Sequence, residues 1–597
     1  MKIAKLISIF ISIVLTNISS HASNSSNELE ISYLGDNNYM ANIHTNKRFL
    51  LLPIEDSSHE TRMSLICNNT EVHSFDIRLA SNKTDYFVPL DLADFQGSTL
   101  RLRFKSESNS AGCREMHLSD YFDTTNYEYH RPIYHFTPPY GWMNDPNGMV
   151  YKDGEYHLFY QYNPYGSRWG NMNWGHSISR DLTTWQHLPV AITPDALGTI
   201  FSGSAVIDHN NTAGFGHGAI VAIYTQNSDR QMQSIAYSND NGRSFTKYSN
   251  NPVLISDDRD FRDPKVFWHQ QTNKWIMILA VGERMHIYSS PNLKDWIFES
   301  SFGEGQGAHG HVWECPDLFP LPVEGCNKTK WVMLCNSGGG PFGGTATQYF
   351  VGNFDGHTFT NDAPNKIKWM DQGKDHYATV TWSDAPNNRR IAIAWMSNWQ
   401  YSNDVPTLQY RSADTLPRDL SLYYGEDGDI YLKSSPATEL QSLRKNDGYT
   451  IKSLRVDREH TIDHAITEND GSMELSMDIR YSAGKILGIK LQNVKGEEVD
   501  LRVDMKQNRI YANRENSGIV SFSNDFPTTT WAQIRDKKDI KLQLYIDRSS
   551  LEIFYNHGEQ AMTNILFPTA PYDRITLYTD GGSVQVKNFT SYKLRTN

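Results

Sequence analysis

The chain has 597 residues, too many for one ordinary core, so the sequence predicts two or three domains. Hydrophobic residues make up 39% and aromatic residues 12% of the chain, which is enough apolar surface for large buried cores. The formal charge of −12 and the lack of any basic run argue against nucleic acid or an anionic membrane surface as a partner.

The first 22 residues have the pattern of a secretory signal peptide. Lys2 and Lys5 precede an apolar stretch over 6–15 that is too short to span a bilayer, and Ser20-His21-Ala22 offers small residues for cleavage. We expect an exported protein, periplasmic or extracellular, whose mature chain starts near Ser23 and does not insert into a membrane.

Residues 23–125 alternate apolar and polar side chains in short runs separated by turn residues, which predicts a small β-sandwich-like accessory domain. No group of residues in this domain suggests chemistry. We expect it to pack against the next domain, with accessory sugar binding as the alternative role. Cys67 and Cys113 fall in this region and are candidates for a disulfide in an oxidising compartment.

The segment 126–435 contains an internal repeat. A strand, a polar turn and a restart on Trp or Phe recur at Ser179–Trp185, Ser238–Phe245, Ser290–Trp296 and Asn353–Phe359, about 50 to 63 residues apart. This spacing suits four-stranded blades, and the strand ending at Trp395 supplies a fifth. The fold prediction is therefore an all-β chain with a five-bladed β-propeller. Residues 436–597 again read as short strands, which predicts a C-terminal β-sandwich.

Three hairpins of the repeat begin in the same way, with a carboxylate close to a proline. Asp145 precedes Pro146, Asp263 precedes Pro264, and Glu314 precedes Cys315-Pro316. Taken alone, the first segment, Asp145-Pro-Asn-Gly148, is more simply a tight turn, because proline and Asn-Gly set turn dihedrals. Three occurrences in one repeat predict instead that the carboxylates stand at the starts of the first strands and converge at the propeller axis.

Three carboxylates in a channel lined by tryptophan suggest cleavage of a glycosidic bond, which needs a proton for the leaving oxygen and a second carboxylate on the other face of the sugar. Glu314 follows Trp313 and suits the acid, since burial beside an aromatic ring favours a protonated carboxyl. Asp145 lies beside Asn144, and Asp263 beside Arg262. We expect both to remain ionised.

The segments Trp142-Met-Asn-Asp-Pro-Asn-Gly148, Phe261-Arg-Asp-Pro264 and Trp313-Glu-Cys-Pro-Asp317 resemble the three signature boxes of glycoside hydrolase family 32, in the family's order. This is the invertase, inulinase and levanase group, and the resemblance covers about residues 130–597. It implies a retaining reaction in which Asp145 is the nucleophile, Glu314 the acid/base, and Asp263 the residue that holds the fructosyl hydroxyls.

The resemblance also implies a set of substrate-binding residues. They are Asn144, Gln161, Trp169, Trp174, Phe201, Ser202, Arg262, Tyr377 and Trp399. The segment Asp375-His-Tyr-Ala378 departs from the family pattern, which usually carries Phe in place of His376. The segment around Trp399 is more similar to that of fructan exo-hydrolases than to that of plain invertases.

The predicted function is release of fructose from levan, inulin or related fructans, with sucrose as a further substrate. A fructosyltransferase that uses the same covalent intermediate is one alternative, and a sugar-binding propeller without catalysis is another. The sequence predicts no cofactor and no metal site. Levan and inulin are alternative polymers, and exo and endo attack are alternative modes of cleavage.

Overall fold

The computed structural model describes residues 28–125, 128–445, 448–462, 470–535 and 538–595. The predicted signal peptide lies outside these residues. Over the ranges described, no helix is both long enough and apolar enough to cross a membrane.

The N-terminal β domain, residues 28–119, consists of two packed sheets. Its strands alternate buried and exposed residues, as Leu100–Lys105 shows, because one face of each sheet covers the core. Across the first sheet the strands are Leu29–Gly35, Asn38–Ile43, Leu100–Lys105, Thr61–Cys67 and Thr70–Ile77, and across the second Tyr86–Asp91, Phe49–Ile54 and His117–Ser119. Two short helices, Ala93–Phe95 and Ala111–Glu115, complete it. The expected disulfide is wrong: Cys67 and Cys113 are both free thiols that pack against the core of this domain.

The predicted five-bladed propeller is confirmed. Its blades, each named from the inner strand outward, are blade 1 (Gly141–Lys152, Glu155–Asn163, Asn173–Ser179, Trp185–Ile192), blade 2 (Thr199–Asp208, Ala219–Asn227, Gln231–Ser238, Thr246–Lys247), blade 3 (Phe261–His269, Lys274–Val281, Arg284–Ser290, Ile297–Phe302), blade 4 (Trp313–Val323, Lys328–Ser337, Ala346–Phe354, Phe359–Asn361) and blade 5 (Tyr377–Thr381, Ile391–Trp395, Arg418–Tyr424, Ile430–Pro436). Strand Leu254–Ile255 adds to blade 2, and Tyr410–Arg411 pairs in parallel with the inner strand of blade 1. Short 3-10 helices span Pro386–Asn388 and Thr438–Leu443. The five inner strands pack against one another around the axis.

The C-terminal β-sandwich is also confirmed, as two six-stranded sheets with an aliphatic core between them. The first sheet runs Tyr449–Val456, Val584–Lys593, Met473–Ile479, Ile540–Asp547, Ser550–Tyr555 and Gln560–Ile565, and the second Glu459–Ile462, Arg574–Asp580, Ile486–Gln492, Glu498–Asp504, Arg509–Asn516 and Thr529–Gln533. The 3-10 turn Asn556–Gly558 joins two strands of the first sheet.

A buried ionic network joins the propeller to the sandwich. The imidazole of His135 lies between two carboxylates of the sandwich, with Nδ1 2.8 Å from Asp547 and Nε2 2.9 Å from Glu552. Arg418 of blade 5 lies 2.9 Å from Asp371 and also donates to Glu552. All these side chains are buried, so each charge relies on its partners in place of water.

Candidate active site

Every inner strand of the propeller has a β-bulge near the axis. In each bulge, two residues of the inner strand lie opposite a single residue of the neighbouring strand. The two residues are Asn144–Asp145 in blade 1, Phe201–Ser202 in blade 2, Asp263–Pro264 in blade 3, Cys315–Pro316 in blade 4 and Ala378–Thr379 in blade 5. A bulge breaks the alternation of side chains and aims neighbouring residues at the same side of the strand. This local geometry brings the predicted site residues to one place.

The expected position of the carboxylates at the starts of the strands needs one correction. The inner strand of blade 1 begins at Gly141, so Asp145 lies inside the strand and Pro146 lies beside the bulge. Asp263 and Cys315 adopt φ angles of 65° and 42°, in the left-handed region that residues other than glycine seldom occupy. Strained backbone of this kind is common where side chains are held for function.

The side chain of Cys315 lies between two of the carboxylates. Its Sγ is 3.3 Å from Oδ2 of Asp145 and 3.6 Å from Oδ2 of Asp263, and its backbone N–H donates to Asp263 at 2.9 Å. Ser202 Oγ donates to Oδ2 of Asp145 at 2.6 Å. Asp145 and Asp263 therefore face one another across a single thiol, each held by donors from another strand.

The third carboxylate, Glu314, is fixed by two donors. Arg262 donates to Oε1 from Nη2 at 3.0 Å and from Nε at 3.2 Å, and the Tyr377 hydroxyl donates to Oε2. Arg262 is anchored from the other side by Asp260, 2.7 Å from its Nη1. Both oxygens of Glu314 thus have a defined orientation, which a group that transfers a proton along one direction requires.

The electrostatics of the cluster differ from the expectation that Asp145 and Asp263 ionise readily. Burial raises the pKa of Asp145, the charge of Glu314 raises it further, and hydrogen bonds from Ser202, Asn144 and Cys315 partly offset these effects. Burial also raises the pKa of Asp263, where Arg262 opposes the rise and the other two carboxylates add to it. Desolvation and mutual repulsion outweigh the neighbouring amide and guanidinium.

These groups surround a cavity of about 250 Å³. Its lining combines the three carboxylates with one guanidinium, polar side chains and three aromatic rings. The lining residues are Asn144, Asp145, Gln161, Trp169, Phe201, Ser202, Arg262, Asp263, Glu314 and Trp399. A concave site with a few convergent polar groups and perturbed carboxyls is typical of an enzyme that binds a small polar unit.

Comparison with known proteins places this site in a family. Residues 135–436 match the profile described as the glycosyl hydrolases family 32 N-terminal domain, and residues 439–593 match the family's C-terminal profile. The chain belongs to glycoside hydrolase family 32. Residues 35–134 match a separate profile described as a domain of unknown function (DUF4980).

Individual relatives support this membership. The chain is 46% identical to a levanase from Bacillus subtilis (strain 168) over 494 residues, which cover 80% of this chain and 72% of the relative. It is 37% identical to an extracellular exo-inulinase from Aspergillus awamori over 511 residues, covering 78% of this chain and 94% of that one.

Solved structures agree with these sequence matches. The crystal structure of the Aspergillus awamori exo-inulinase superposes with a TM-score of 0.74 at 35% identity, covering 80% of this chain and 100% of that one. A fructofuranosidase from Schwanniomyces occidentalis complexed with fructosylnystose superposes with a TM-score of 0.69 at 34% identity, covering 79% and 99% of the two chains.

Two predicted substrate-binding residues lie outside the cavity of this family 32 hydrolase. Trp174 is fully buried between blades, packs on Phe159 and Tyr224, and donates from Nε1 to the carbonyl of Phe201 at 3.0 Å. It supports the cavity wall and has no surface left to contact a sugar. Tyr377 is also buried, so it acts on Glu314 and does not line the cavity.

Cys315 is a residue of the site that the sequence does not reveal. A buried cysteine is usually a small hydrophobic residue, which is the simplest interpretation of the segment Glu314-Cys-Pro. The structure places it at the centre of the carboxylate cluster. The signal in the sequence is its position directly after the predicted acid and before Pro316, where the inner strand of blade 4 bulges.

His376, where the sequence departs from the family pattern, lies behind the site. The imidazole is buried, its Nδ1 is 3.3 Å from the hydroxyls of Thr347 and Thr379, and burial lowers its pKa to about 4. A neutral imidazole held by two hydroxyls fills the space without adding a charge near the carboxylates.

Proposed function

We propose that this family 32 hydrolase releases fructose from β-fructans, levan or inulin, and from sucrose, through a covalent fructosyl-enzyme intermediate with retention of configuration. The observation that carries the proposal is the meeting of Asp145, Asp263 and Glu314 in one cavity with aromatic rings at its mouth. Retaining cleavage needs a nucleophile and an acid/base, and the cavity offers Asp145 and Glu314 for these two roles.

In the first step, Glu314 gives a proton to the leaving oxygen while a carboxylate oxygen of Asp145 attacks the anomeric carbon. In the second step, Glu314 takes a proton from water, which attacks the same carbon and frees Asp145. The three carboxyl groups of the cavity share one guanidinium, Arg262, which donates to Glu314 and opposes the rise in the pKa of Asp263 that burial causes.

The remaining lining residues fit the binding of sugar hydroxyls. Asp263 accepts hydrogen bonds, and Asn144 and Gln161 offer amides. The Nε2 of Gln161 is buried and has no partner among the described residues, so it is free to donate to a substrate hydroxyl. Phe201, Trp169 and Trp399 supply apolar surface for a sugar ring.

Similarity to an extracellular exo-inulinase and to a levanase supports terminal attack on a fructan by an exported enzyme. We propose that residues 1–22 are removed on export, and that the domains comprise residues 23–125, 126–435 and 436–597. Determination of the mature N-terminus tests the first of these proposals: we expect it near Ser23.

Product analysis of the purified protein on levan, inulin and sucrose tests the function. Fructose as the sole product from both polymers supports exo-hydrolysis. A ladder of oligomers would indicate endo attack, and chain-lengthened products would indicate a fructosyltransferase. If none of the three substrates is changed, the sugar-binding alternative replaces the enzyme proposal. Asp145→Asn is the matched inactive control.

A further inference from the structure

The N-terminal β domain contacts the propeller next to the cavity. Part of this contact is the segment 164–172, which connects the second and third strands of blade 1 and contains no strand of its own. This segment carries Trp169, which lines the cavity and keeps 44% of its surface exposed. Trp169 is therefore at the mouth, where a sugar unit enters or leaves.

An ion-pair cluster holds the segment just before Trp169. Asp56 of the N-terminal β domain accepts from Arg168 at 3.0 Å and from Arg411 at 3.1 Å. Arg411 also donates to the carbonyl of Ser167 at 3.0 Å. Asp56 and Arg411 keep only 13% and 3% of their side-chain surface exposed, so these pairs are shielded from solvent more than ordinary surface pairs are.

A second group of contacts holds the segment after Trp169. Asn171 accepts from the backbone N–H of Asp76 at 2.9 Å and donates to its carbonyl at 2.7 Å. The side chain of Asn171 thus pairs with the N-terminal β domain as a neighbouring strand would. At the start of the segment, the ring of Tyr165 stacks on Phe75 with a centroid distance of 3.9 Å.

The propeller contacts Trp169 directly. Its backbone N–H donates to Asn403 Oδ1 at 3.1 Å, and its ring meets the edge of Phe201 at a centroid distance of 6.2 Å. The flanking residues are held from both sides. Asn163 of blade 1 donates to the carbonyl of Arg168 at 2.8 Å and accepts from the side chain of Asn171 at 3.1 Å, whereas the N-terminal β domain supplies the carboxylate partner of Arg168 and the backbone partner of Asn171.

We propose that the N-terminal β domain is a positioning element of the active site. By fixing the segment 164–172 it holds Trp169 at the cavity mouth, and so sets the affinity for the fructan unit that contacts this ring. The inference rests on the proposed function and assigns a role to a region that the comparisons describe only as a domain of unknown function. Asp56 and Asn171 are positioning residues in this scheme, since neither lines the cavity.

The test compares Asp56→Asn with Asp91→Asn on inulin and levan. Asp91 serves as the control, because it is a more exposed carboxylate of the same domain, paired with Arg48 at 3.1 Å, and among the described residues it makes no hydrogen bond to the segment 164–172. We expect Asp56→Asn to raise KM roughly tenfold, which corresponds to about 1.4 kcal/mol of lost binding, with little change in kcat. Asp91→Asn should leave both constants unchanged.

A double-mutant cycle shows whether the effect passes through Trp169. Trp169→Ala should raise KM by at least as much as Asp56→Asn, and adding Asp56→Asn in that background should change nothing further. Additive effects on KM would overturn the proposal, as would an unchanged KM in folded Asp56→Asn.

In Asp56→Asn the guanidinium of Arg411 loses its carboxylate partner, which can destabilise the fold. Thermal unfolding of each variant therefore shows whether a change in KM comes from loss of structure. If that variant does not fold, Asn171→Gly removes the side-chain pairing with Asp76 without leaving a buried charge unpaired, and glycine tolerates the φ of 44° at this position. An unchanged KM in Asn171→Gly would overturn the proposal. Failure of the wild-type protein to release fructose would instead refute the proposed function.

Discussion

The hydrogen bond from Ser202 to Asp145 gives a prediction that can be worked from the structure. Ser202 Oγ lies 2.6 Å from Oδ2 of Asp145, and this bond lowers the pKa of a carboxyl that burial and Glu314 raise. Ser202→Ala removes a hydrogen bond to a charged group, worth about 1.5–3 kcal/mol. Losing this stabilisation of the charged form should raise the pKa of Asp145 further. Asn144 and Cys315 continue to stabilise the carboxylate, so the effect should lie at the lower end of this range of free energy.

The assay is the pH dependence of kcat/KM for fructose release. The nucleophile must be ionised, so activity falls as the pH drops through the pKa of Asp145, and a higher pKa moves this acid limb to higher pH. At a pH well above the limb, Ser202→Ala should retain most of its activity apart from any loss of sugar contact. An acid limb that stays in place, or moves to lower pH, would refute the assignment of Ser202 as the group that keeps Asp145 ionised.

Three further predictions concern the acid, the domain junction and the cavity wall. Glu314→Gln should lower kcat about 10²- to 10⁴-fold with an unchanged Tm, and near-full activity in steady-state assays would contradict its role as acid/base. Burial would lower the pKa of His135, but Asp547 and Glu552 raise it to about 9, above its unfolded value. The stability that this ion cluster contributes should be complete below about pH 6.5 and lost as the pH rises through 9. A calorimetric Tm that does not change with pH across that window would argue against this role. Trp174→Ala should lower the free energy of unfolding by about 3–5 kcal/mol in denaturant titrations, because it leaves a cavity in the core. A variant that is equally stable but has an altered KM would mean instead that the indole contacts substrate.

The propeller and the meeting of the carboxylates were predictable because the repeat leaves a regular record in the sequence. Four of the five blades restart on Trp or Phe after a polar turn, and three hairpins each carry a carboxylate just ahead of a proline. Chain order and strand pairing then place Asp145, Asp263 and Glu314 around one axis, as the structure shows.

The finer contacts of the site were not predictable, for physical reasons that two tryptophans illustrate. Trp169 and Trp174 lie five residues apart and look equivalent in the sequence. Trp169 falls in an irregular segment and is 44% exposed, whereas Trp174 falls in the third strand of blade 1 and its ring is fully buried between two blades. The difference depends on where a strand begins, and sequence patterns define such boundaries poorly.

The bulges and the pKa shifts were hidden for a related reason. Each bulge adds one residue to an inner strand, which changes the direction of side chains such as Cys315 without changing the hydrophobic pattern. Burial of Asp263 among other carboxylates likewise depends on strands far apart in the chain, so the neighbouring guanidinium alone suggests the wrong direction for its pKa.

The central claim is that Asp145 forms a bond to the sugar within the carboxylate cluster. The most direct measurement uses the Glu314→Gln variant with β-fructosyl fluoride, whose leaving group needs no proton, followed by acid quenching and peptide mass spectrometry. We predict that the peptide containing Asp145 gains the mass of one fructosyl group, because the intermediate forms but its hydrolysis lacks a base. A fructosyl group found on Asp263, or turnover of the fluoride with inversion and no adduct, would contradict the account.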